Sequence, residues 1–214
     1  MPPSSSRPRI RMSAEQRREQ IVEVATELVA RYGFTGLSLQ DVADAVGITQ
    51  AGLLHYIGNK NGLLRLLLFD RYDKQGTPQD FFDSGAPGAT HPEGMSLPAY
   101  FRFLTAFNEA RPSLMELYMT LGIEATDPDH PVHDYFRTRP DAVWDFYSGF
   151  TWRLPPEIEA EGGWATMRPL IEMAIEAMDG AQIRFFREPA ISLVEEWARW
   201  EALLFPSPLW DGYR

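Results

Sequence analysis

The sequence contains no cysteine among its 214 residues. It therefore cannot form a disulfide, and no thiolate is available as a nucleophile or a metal ligand. No apolar run approaches the length that spans a bilayer, and the N-terminus lacks the apolar segment of a signal peptide. P-loop, Gly-x-Gly-x-x-Gly and Ser-His-Asp elbow motifs are also absent. We therefore expect a soluble, cytoplasmic protein that is not an enzyme and needs no cofactor.

Basic charge is scarce over the whole chain but not at its start. The net charge is −10, which argues against nucleic acid as a partner. Residues 1–70, however, hold 8 Lys and Arg against 7 Asp and Glu, whereas residues 71–214 hold 12 against 23. Five of the positive charges are Arg7, Arg9, Arg11, Arg17 and Arg18. We expect residues 1–12 to form a disordered basic arm, which either reaches DNA or only keeps the chain soluble.

Strand patterns of convincing length are missing, whereas helix-boundary signals are frequent. Ser13 and Gln16 have the spacing of a capping box, and an apolar stripe at helical spacing follows them. Gly33 then provides a helix end, and Ser38 with Asp41 marks the next helix start. The pattern predicts an all-α fold that begins with a long amphipathic helix.

The pattern of residues 38–60 predicts two short helices joined by a tight turn at Gly47. Thr49 is placed to cap the second of them. On that helix Leu53 and Ile57 are four residues apart and must pack inward, so the side chains of Ala51 and His55 point away from the core. This arrangement is typical of a helix-turn-helix, whose second helix lies in the DNA major groove.

The residue types on this helix fit contacts to DNA. Gln50 has the paired donor and acceptor that recognise adenine N6 and N7. Ala51 and Leu54 offer apolar contact to a thymine methyl group. Tyr56 and Lys60 flank the helix and suit contacts to phosphates, which position a protein without reading base sequence.

Residues 15–68 resemble the N-terminal domain of the TetR family of bacterial transcriptional regulators. The match includes RYGFTGLS, LQDVADAVGIT and LLHYIGNKNGLL. The resemblance implies that DNA is contacted by Ser38, Thr49, Gln50, Ala51, Leu54, His55, Tyr56 and Lys60. The sequence departs from the common family pattern at Ala51-Gly52, Leu54, Ile57 and Asn61, so the base preference does not carry over.

The rest of the chain is expected to be helical after a long loop. Its Pro and Gly content predicts a loop from Gln75 to Ser96. The helices expected after it cover residues 97–110, 113–125, 133–152, 168–187 and 191–205. Pro140 is expected to kink or break the third of these helices.

Aromatic residues and methionines are dense in the C-terminal part. They either line a large apolar ligand pocket or simply fill the core, and for the group as a whole we favour a pocket. The candidate pocket residues are Tyr100, Phe103, Phe107, Met115, Met119, Trp144, Tyr147 and Phe150. The resemblance also implies a C-terminal effector-binding domain, so we expect a small, largely apolar effector.

The last two helices carry apolar stripes wider than one monomer core requires, which indicates a second apolar surface. The resemblance implies that this helix pair forms a four-helix bundle with a second copy. The candidate interface residues are Ile175, Met178, Ile183, Phe186, Val194, Trp197 and Trp200.

A competing hypothesis concerns the stretch DPDHPVHD, which holds Asp127, Asp129, His130 and His133. His and carboxylate groups at this density can bind a divalent metal, and the metal can activate water for hydrolysis. Pro128 indicates instead that the stretch is a turn.

We therefore predict three parts: the basic arm over 1–12, a helix-turn-helix DNA-binding domain over 13–58, and a helical ligand-binding and dimerisation domain over 59–214. The predicted function is that of a ligand-responsive transcriptional regulator, a repressor that binds a palindromic operator as a homodimer. The alternative function is a metal-dependent hydrolase.

Overall fold

The computed structural model describes residues 12–188 and 190–214. In this part of the chain the α-helices are α1 Ala14–Tyr32, α2 Leu39–Val46, α3 Gln50–Ile57, α4 Lys60–Arg65, α5 Pro78–Ser84, α6 Leu97–Glu109, α7 Pro112–Glu124, α8 His133–Ser148, α9 Pro156–Ala160, α10 Arg168–Arg187 and α11 Leu193–Leu204. A π-helix, Leu66–Tyr72, continues α4, and a 3₁₀-helix spans Gly163–Thr166. The two-residue strands β1 Met95–Ser96 and β2 Trp152–Arg153 pair in parallel. The all-α prediction is confirmed, while the predicted basic arm lies, except for Met12, outside the described residues.

The first helix begins and ends where its sequence signals predict. The Ser13 hydroxyl accepts from the Gln16 amide at 3.1 Å, and the Gln16 side chain accepts from the Ser13 amide at 2.9 Å. At the other end Gly33 has a φ of 73°, a value that side chains other than glycine rarely adopt. These local interactions define α1 before any packing is considered.

The helix-turn-helix is built from the same kind of local signals. Ser38 and Asp41 form a capping box at the start of α2. Gly47 adopts the left-handed conformation, with φ 76° and ψ 36°, and ends that helix. The Thr49 hydroxyl then accepts from the Gly52 amide at 3.0 Å and starts α3. The predicted turn and both caps are confirmed.

The N-terminal core extends beyond the first three helices. Ile21 and Val29 on α1 lie in one buried cluster with Leu67 of the π-helix. Leu117 and Leu121 of α7 belong to the same cluster, because α1 packs along α7. Helices α1–α3 therefore share their core with the π-helix and α7.

A second core lies between α6, α10 and α11. The rings of Phe101 and Trp197 are stacked with centroids 5.5 Å apart, and Phe205 packs against both Phe101 and Trp210. Large aromatic side chains thus fill the centre of the C-terminal part.

Two boundaries differ from the sequence prediction. The predicted loop from Gln75 to Ser96 contains α5, which starts with a capping box between Thr77 and Asp80 and has Pro78 in its first turn. The proline supports the helix there because it lies at the start, where its missing N–H is not needed. The helix predicted to run to residue 152 instead runs through Pro140 and ends at Ser148, and Trp152 enters β2.

Candidate DNA-binding surface and ligand cavity

Helix α3 presents one face to the core and another to solvent. Leu53 and Ile57 are 0% and 7% exposed, respectively. Gln50, Ala51 and His55 are exposed, as the spacing along the helix predicts. A solvent-facing helix of this kind, held by a preceding helix and a tight turn, has the form that enters a major groove.

The two capping residues proposed to contact DNA are exposed but already bonded. The Thr49 hydroxyl caps α3 by accepting one hydrogen bond. Because the residue is exposed, the hydroxyl can still donate a hydrogen bond to another group. The Ser38 hydroxyl donates to Asp41 at 2.5 Å, and this bond lowers the pKa of the Asp41 carboxyl. The charge that results at Asp41 stabilises the positive end of the α2 dipole.

The remaining three candidate residues combine packing with exposure. Leu54 and Tyr56 are half-buried against the N-terminal core. The Tyr56 ring meets the edge of His55 at a centroid distance of 5.4 Å. The Lys60 ammonium lies 4.6 Å from the centre of the Phe34 ring. This cation–π contact fixes the charge at the start of α4, beside α3.

A cavity of about 850 Å³ lies behind the helix-turn-helix. Its walls come from α4, the π-helix, α6, α7, α8 and α10. Four predicted pocket residues line it: Tyr100, Phe107, Met115 and Tyr147. A volume of this size is within the range that holds a drug-sized molecule.

The other four predicted pocket residues lie elsewhere. Phe103 packs against Phe81 and Phe107, and Met119 packs against the N-terminal core. Phe150 contacts Phe146 and Trp152. These three residues therefore pack near the large cavity but do not line it.

Trp144, the fourth, lines a second cavity of about 490 Å³ and stacks on Trp164 at 5.1 Å. The two cavities adjoin, because both are lined by Tyr118, Arg139, Val143, Ile175 and Asp179. The candidate ligand site is thus a main chamber with a side chamber.

Sequence reasoning missed the polar group at the centre of this site. The Arg139 guanidinium donates to the Asp73 carboxylate and to the Tyr135 hydroxyl, both at 2.5 Å. It also lies 5.0 and 5.2 Å from the ring centres of Tyr72 and Tyr118. Burial raises the pKa of Tyr118 to about 12, so this hydroxyl stays protonated and can donate a hydrogen bond. The sequence signal for this polar group is the spacing of Tyr135 and Arg139, which are four residues apart and therefore lie on the same side of α8.

Asp179 is a second polar residue that the sequence did not single out. It receives a hydrogen bond from the Gln182 side chain at 3.2 Å. Burial raises the pKa of the Asp179 carboxyl to about 6, although Arg139 and Gln182 act to lower it. An acid with a raised pKa in a cavity wall is a candidate for ligand recognition.

Some of the predicted interface residues face inward instead. Met178 and Trp197 are 4% and 1% exposed and lie in the C-terminal core, and Ile175 lines both cavities. The prediction that Met178 and Trp197 form part of a dimer surface is corrected, because α10 and α11 each turn one apolar stripe toward the monomer's own core. Ile175 is half-buried and stays a candidate.

The other predicted interface residues remain accessible. Val194 and Trp200 are each 41% exposed, and Ile183 and Phe186 are half-buried. Leu203, which was not predicted, is 73% exposed.

The His and Asp stretch of the competing hypothesis is a turn before α8. His133 Nδ1 lies 2.9 Å from the Ala125 carbonyl, and the Asp129 amide donates to the Asp127 side chain at 3.0 Å. His130 is directed toward Glu124, with 3.6 Å between Nε2 and the carboxylate. Among the described residues no three His, Asp or Glu side chains are grouped so that they could hold a metal ion. Nor does any helix in the described ranges have the length and apolar character to cross a membrane.

Residues 21–67 match the family model described as bacterial regulatory proteins, tetR family. By this match, the N-terminal domain belongs to the TetR family. The resemblance found in the sequence is therefore confirmed, and TetR-family proteins are transcriptional regulators rather than enzymes. No curated protein matches the chain.

Solved structures extend the likeness to the whole TetR fold. The fatty acid degradation regulator FadR of Bacillus halodurans is 15% identical, with a TM-score of 0.59, over 92% of this chain and 98% of its own. FadR of Thermus thermophilus, a repressor in complex with lauroyl-CoA, is 19% identical, with a TM-score of 0.53, over 90% and 95%. AibR, in complex with isovaleryl coenzyme A and operator DNA, is 21% identical, with a TM-score of 0.55, over 89% and 98%. At these identities the likeness establishes the fold alone.

Proposed function

We propose that this TetR-family chain is a ligand-responsive transcriptional repressor that binds a palindromic operator as a homodimer. The observation that carries the proposal is the position of one continuous helical segment, α4 and the π-helix. Only Gly58 and Asn59 separate it from α3, and its Arg65, Phe69 and Tyr72 line the main cavity. A molecule in the cavity would therefore touch the segment that holds the recognition helix.

In this proposal α3 reads the operator. Gln50 pairs with an adenine through its amide, and Ala51 and Leu54 contact thymine methyl groups. Thr49, His55, Tyr56, Lys60 and Ser38 contact the backbone and fix the orientation of the head. The support is the exposure of Gln50, Ala51 and His55 on the face opposite Leu53.

Dimerisation through α10 and α11 would bring in the helix-turn-helix of a second copy. Met173, Trp200 and Leu203 are exposed apolar side chains on these helices. Burying them against a second copy would remove apolar area from water. A twofold axis then presents two α3 helices to half-sites one helical turn, roughly 34–36 Å, apart or a multiple of it.

The effector would act by population shift. The dimer alternates between an arrangement that fits the operator and one that does not. A ligand that binds the second arrangement more tightly shifts the protein away from the DNA-bound form. The size of this shift is limited by the difference in the ligand's affinity for the two arrangements. The solved structures of Thermus thermophilus FadR with lauroyl-CoA and of AibR with isovaleryl coenzyme A and operator DNA support a small-molecule effector for a protein of this fold.

The test is selection of bound sequences from a random DNA pool by the purified chain at two salt concentrations. We expect enrichment of a near-palindrome, with affinity falling as salt rises because phosphate contacts release counterions. Gln50→Ala should reduce affinity and relax the preference at one base pair of each half-site, by about 1–3 kcal/mol. Gln79→Ala, an exposed glutamine on α5, is the matched control. Failure of folded protein to enrich any sequence would contradict the proposal.

A further inference from the structure

The two adjoining cavities have an uneven charge balance. Their acidic lining residues are Asp73, Asp134, Glu172, Glu176 and Asp179, and their basic lining residues are Arg65, Arg139 and Arg168. More of the charge that lines them is therefore negative than positive. A ligand that enters them leaves water and depends on the charges that the walls provide.

The two arginines that line the side chamber are already paired with carboxylates. Arg139 lies against Asp73 with a distance of 2.5 Å between Nη1 and the carboxylate. Arg168 bonds to Asp141 at 2.5 Å and to Glu172 at 2.8 Å. An anionic ligand would have to compete with these carboxylates, so neither arginine is an open anchor for a carboxylate or a phosphate.

Two other acidic side chains of α10, Glu176 and Asp179, are in the opposite situation. Within the described residues, neither Asp179 nor Glu176 has a basic partner within ion-pair distance. Asp179 lies where the two chambers meet, and Glu176 lines the side chamber one turn earlier on the helix. The positive charge at the junction, Arg139, is already paired with Asp73, so the carboxylate oxygens of Asp179 have no ion-pair partner of their own.

The surrounding walls supply the apolar part of a site. Tyr118 and Tyr72 stack at 4.2 Å, and Val143 and Ile175 line the junction on either side. Gln182, which is 2% exposed, donates to Asp179 and holds its carboxyl in place. A fixed carboxylate within apolar and aromatic walls favours an organic cation, because the opposite charge offsets the desolvation of both groups.

We propose that the effector is an organic cation, an apolar body carrying a protonated amine, and that the amine pairs with Asp179 at the junction of the two chambers. This inference rests on the proposed ligand-binding function of the cavity. It assigns to this chain an effector of opposite charge to the acyl-CoA molecules that the solved relatives hold.

The test compares three probes with the same twelve-carbon chain: dodecylamine, 1-dodecanol and dodecanoate. Binding to the full-length protein is measured without DNA by calorimetry and tryptophan fluorescence, below the micelle concentration of each probe. We expect the amine to bind roughly 10- to 100-fold more tightly than the carboxylate, the difference expected for a charge-assisted bond. Asp179→Asn should remove most of this preference. Asp145→Asn, which changes an exposed carboxylate of α8 that lines neither chamber, should leave the preference unchanged.

Three results would overturn the inference. They are tighter binding of dodecanoate than of dodecylamine, the same preference in Asp179→Asn as in the unchanged chain, and no binding of any probe. The comparison of head groups on the unchanged chain stands even if the variant misfolds. Because DNA selection is measured without ligand and probe binding without DNA, failure of the inference and failure of the proposed function give different results.

Discussion

At the scale of single residues, Gly62 illustrates how closely the elements of the DNA-binding head approach each other. A Cβ atom at this position would lie 1.8 Å from the Ile57 carbonyl oxygen. The backbone of α4 therefore meets the end of α3 with no room for a side chain. Glycine here sets the angle between the recognition helix and the segment that follows it.

Gly62→Ala should accordingly destabilise the protein and displace α3. We expect a loss of about 1–3 kcal/mol in the free energy of unfolding, the range for overpacking, measured by urea denaturation. Gly180→Ala is the matched control, since its Cβ would meet nothing within 4 Å. That change should be neutral or stabilise by up to about 1 kcal/mol through helix propensity. Equal effects of the two substitutions would refute the close approach.

The Asp179 carboxyl gives a prediction about pH. Its pKa in the native state, about 6, lies above the ordinary value of 3.8, because burial disfavours the charged form. The native state therefore holds the proton more tightly than the unfolded state does. The contribution of Asp179 to the free energy of unfolding should fall as pH rises from about 4 to about 6 and stay constant above that.

Denaturation of the unchanged chain and of Asp179→Asn across this pH range measures the effect, because contributions from other groups cancel in the difference. The groups that act on Asp179 most directly are Arg139, Gln182 and Glu176, and all remain in the variant. The variant should gain stability relative to the unchanged chain as pH rises. A difference that stays constant from pH 4 to 7 would show that the carboxyl is not buried as described.

At the scale of elements, the group around Arg139 joins α8 to the end of the π-helix. Arg139 belongs to α8, while Asp73 directly follows the π-helix and Tyr72 is its last residue. The side chains of the Arg139–Asp73 pair are only 21% and 28% exposed. This pair ties the segment behind the recognition helix to the opposite wall of the cavity.

We expect Arg139→Met to reduce the free energy of unfolding by roughly 1–3 kcal/mol, because it leaves the half-buried Asp73 carboxylate without its charged partner. The double variant Arg139→Met with Asp73→Asn should lose less free energy of unfolding than the sum of the losses in the two single variants, by at least about 1 kcal/mol. The control is Arg137→Met on the same helix, whose pair with Asp134 is 61% and 82% exposed and should contribute little. Strict additivity in the Arg139–Asp73 cycle would show that the pair is not coupled.

The helix starts were predictable because capping signals are local. Ser13, Ser38 and Thr49 each act within three residues, so their spacing in the sequence already contains the interaction. Helix α5 has the same signal in Thr77 and Asp80, but the proline and glycine content of its surroundings concealed it. Local chemistry was thus a better guide than the composition of a segment.

The sequence was a poorer guide to which side of a helix is buried, because that depends on contacts between residues far apart in the chain. Both stripes of α10 and α11 are apolar, and only packing shows that Met178 and Trp197 face the core while Leu203 does not. The bond between Arg139 and Asp73 joins residues 66 positions apart. Neither periodicity nor composition contains that information, and three of the eight predicted pocket residues, Phe103, Met119 and Phe150, line neither chamber.

At the scale of the whole molecule, the exposed apolar face of α11 predicts the oligomeric state. Leu203→Asp would place a charge in the proposed dimer interface and should weaken dimerisation at least roughly 10-fold, measured by sedimentation velocity over a concentration series. Phe82→Asp on α5 is the matched control, since Phe82 is 49% exposed but lies outside the proposed interface. A dimer equally stable in both variants would place the interface elsewhere.

The central claim is that the cavity and the recognition helix are coupled through α4 and the π-helix. The most direct measurement is the affinity of Val143→Trp for the selected operator, determined by fluorescence anisotropy. Val143 lines both chambers, so the indole occupies space meant for a ligand. We predict at least about fivefold weaker operator binding with unchanged dimerisation and helix content. Operator affinity equal to that of the unchanged chain, with the indole shown to lie in the cavity, would contradict the coupling.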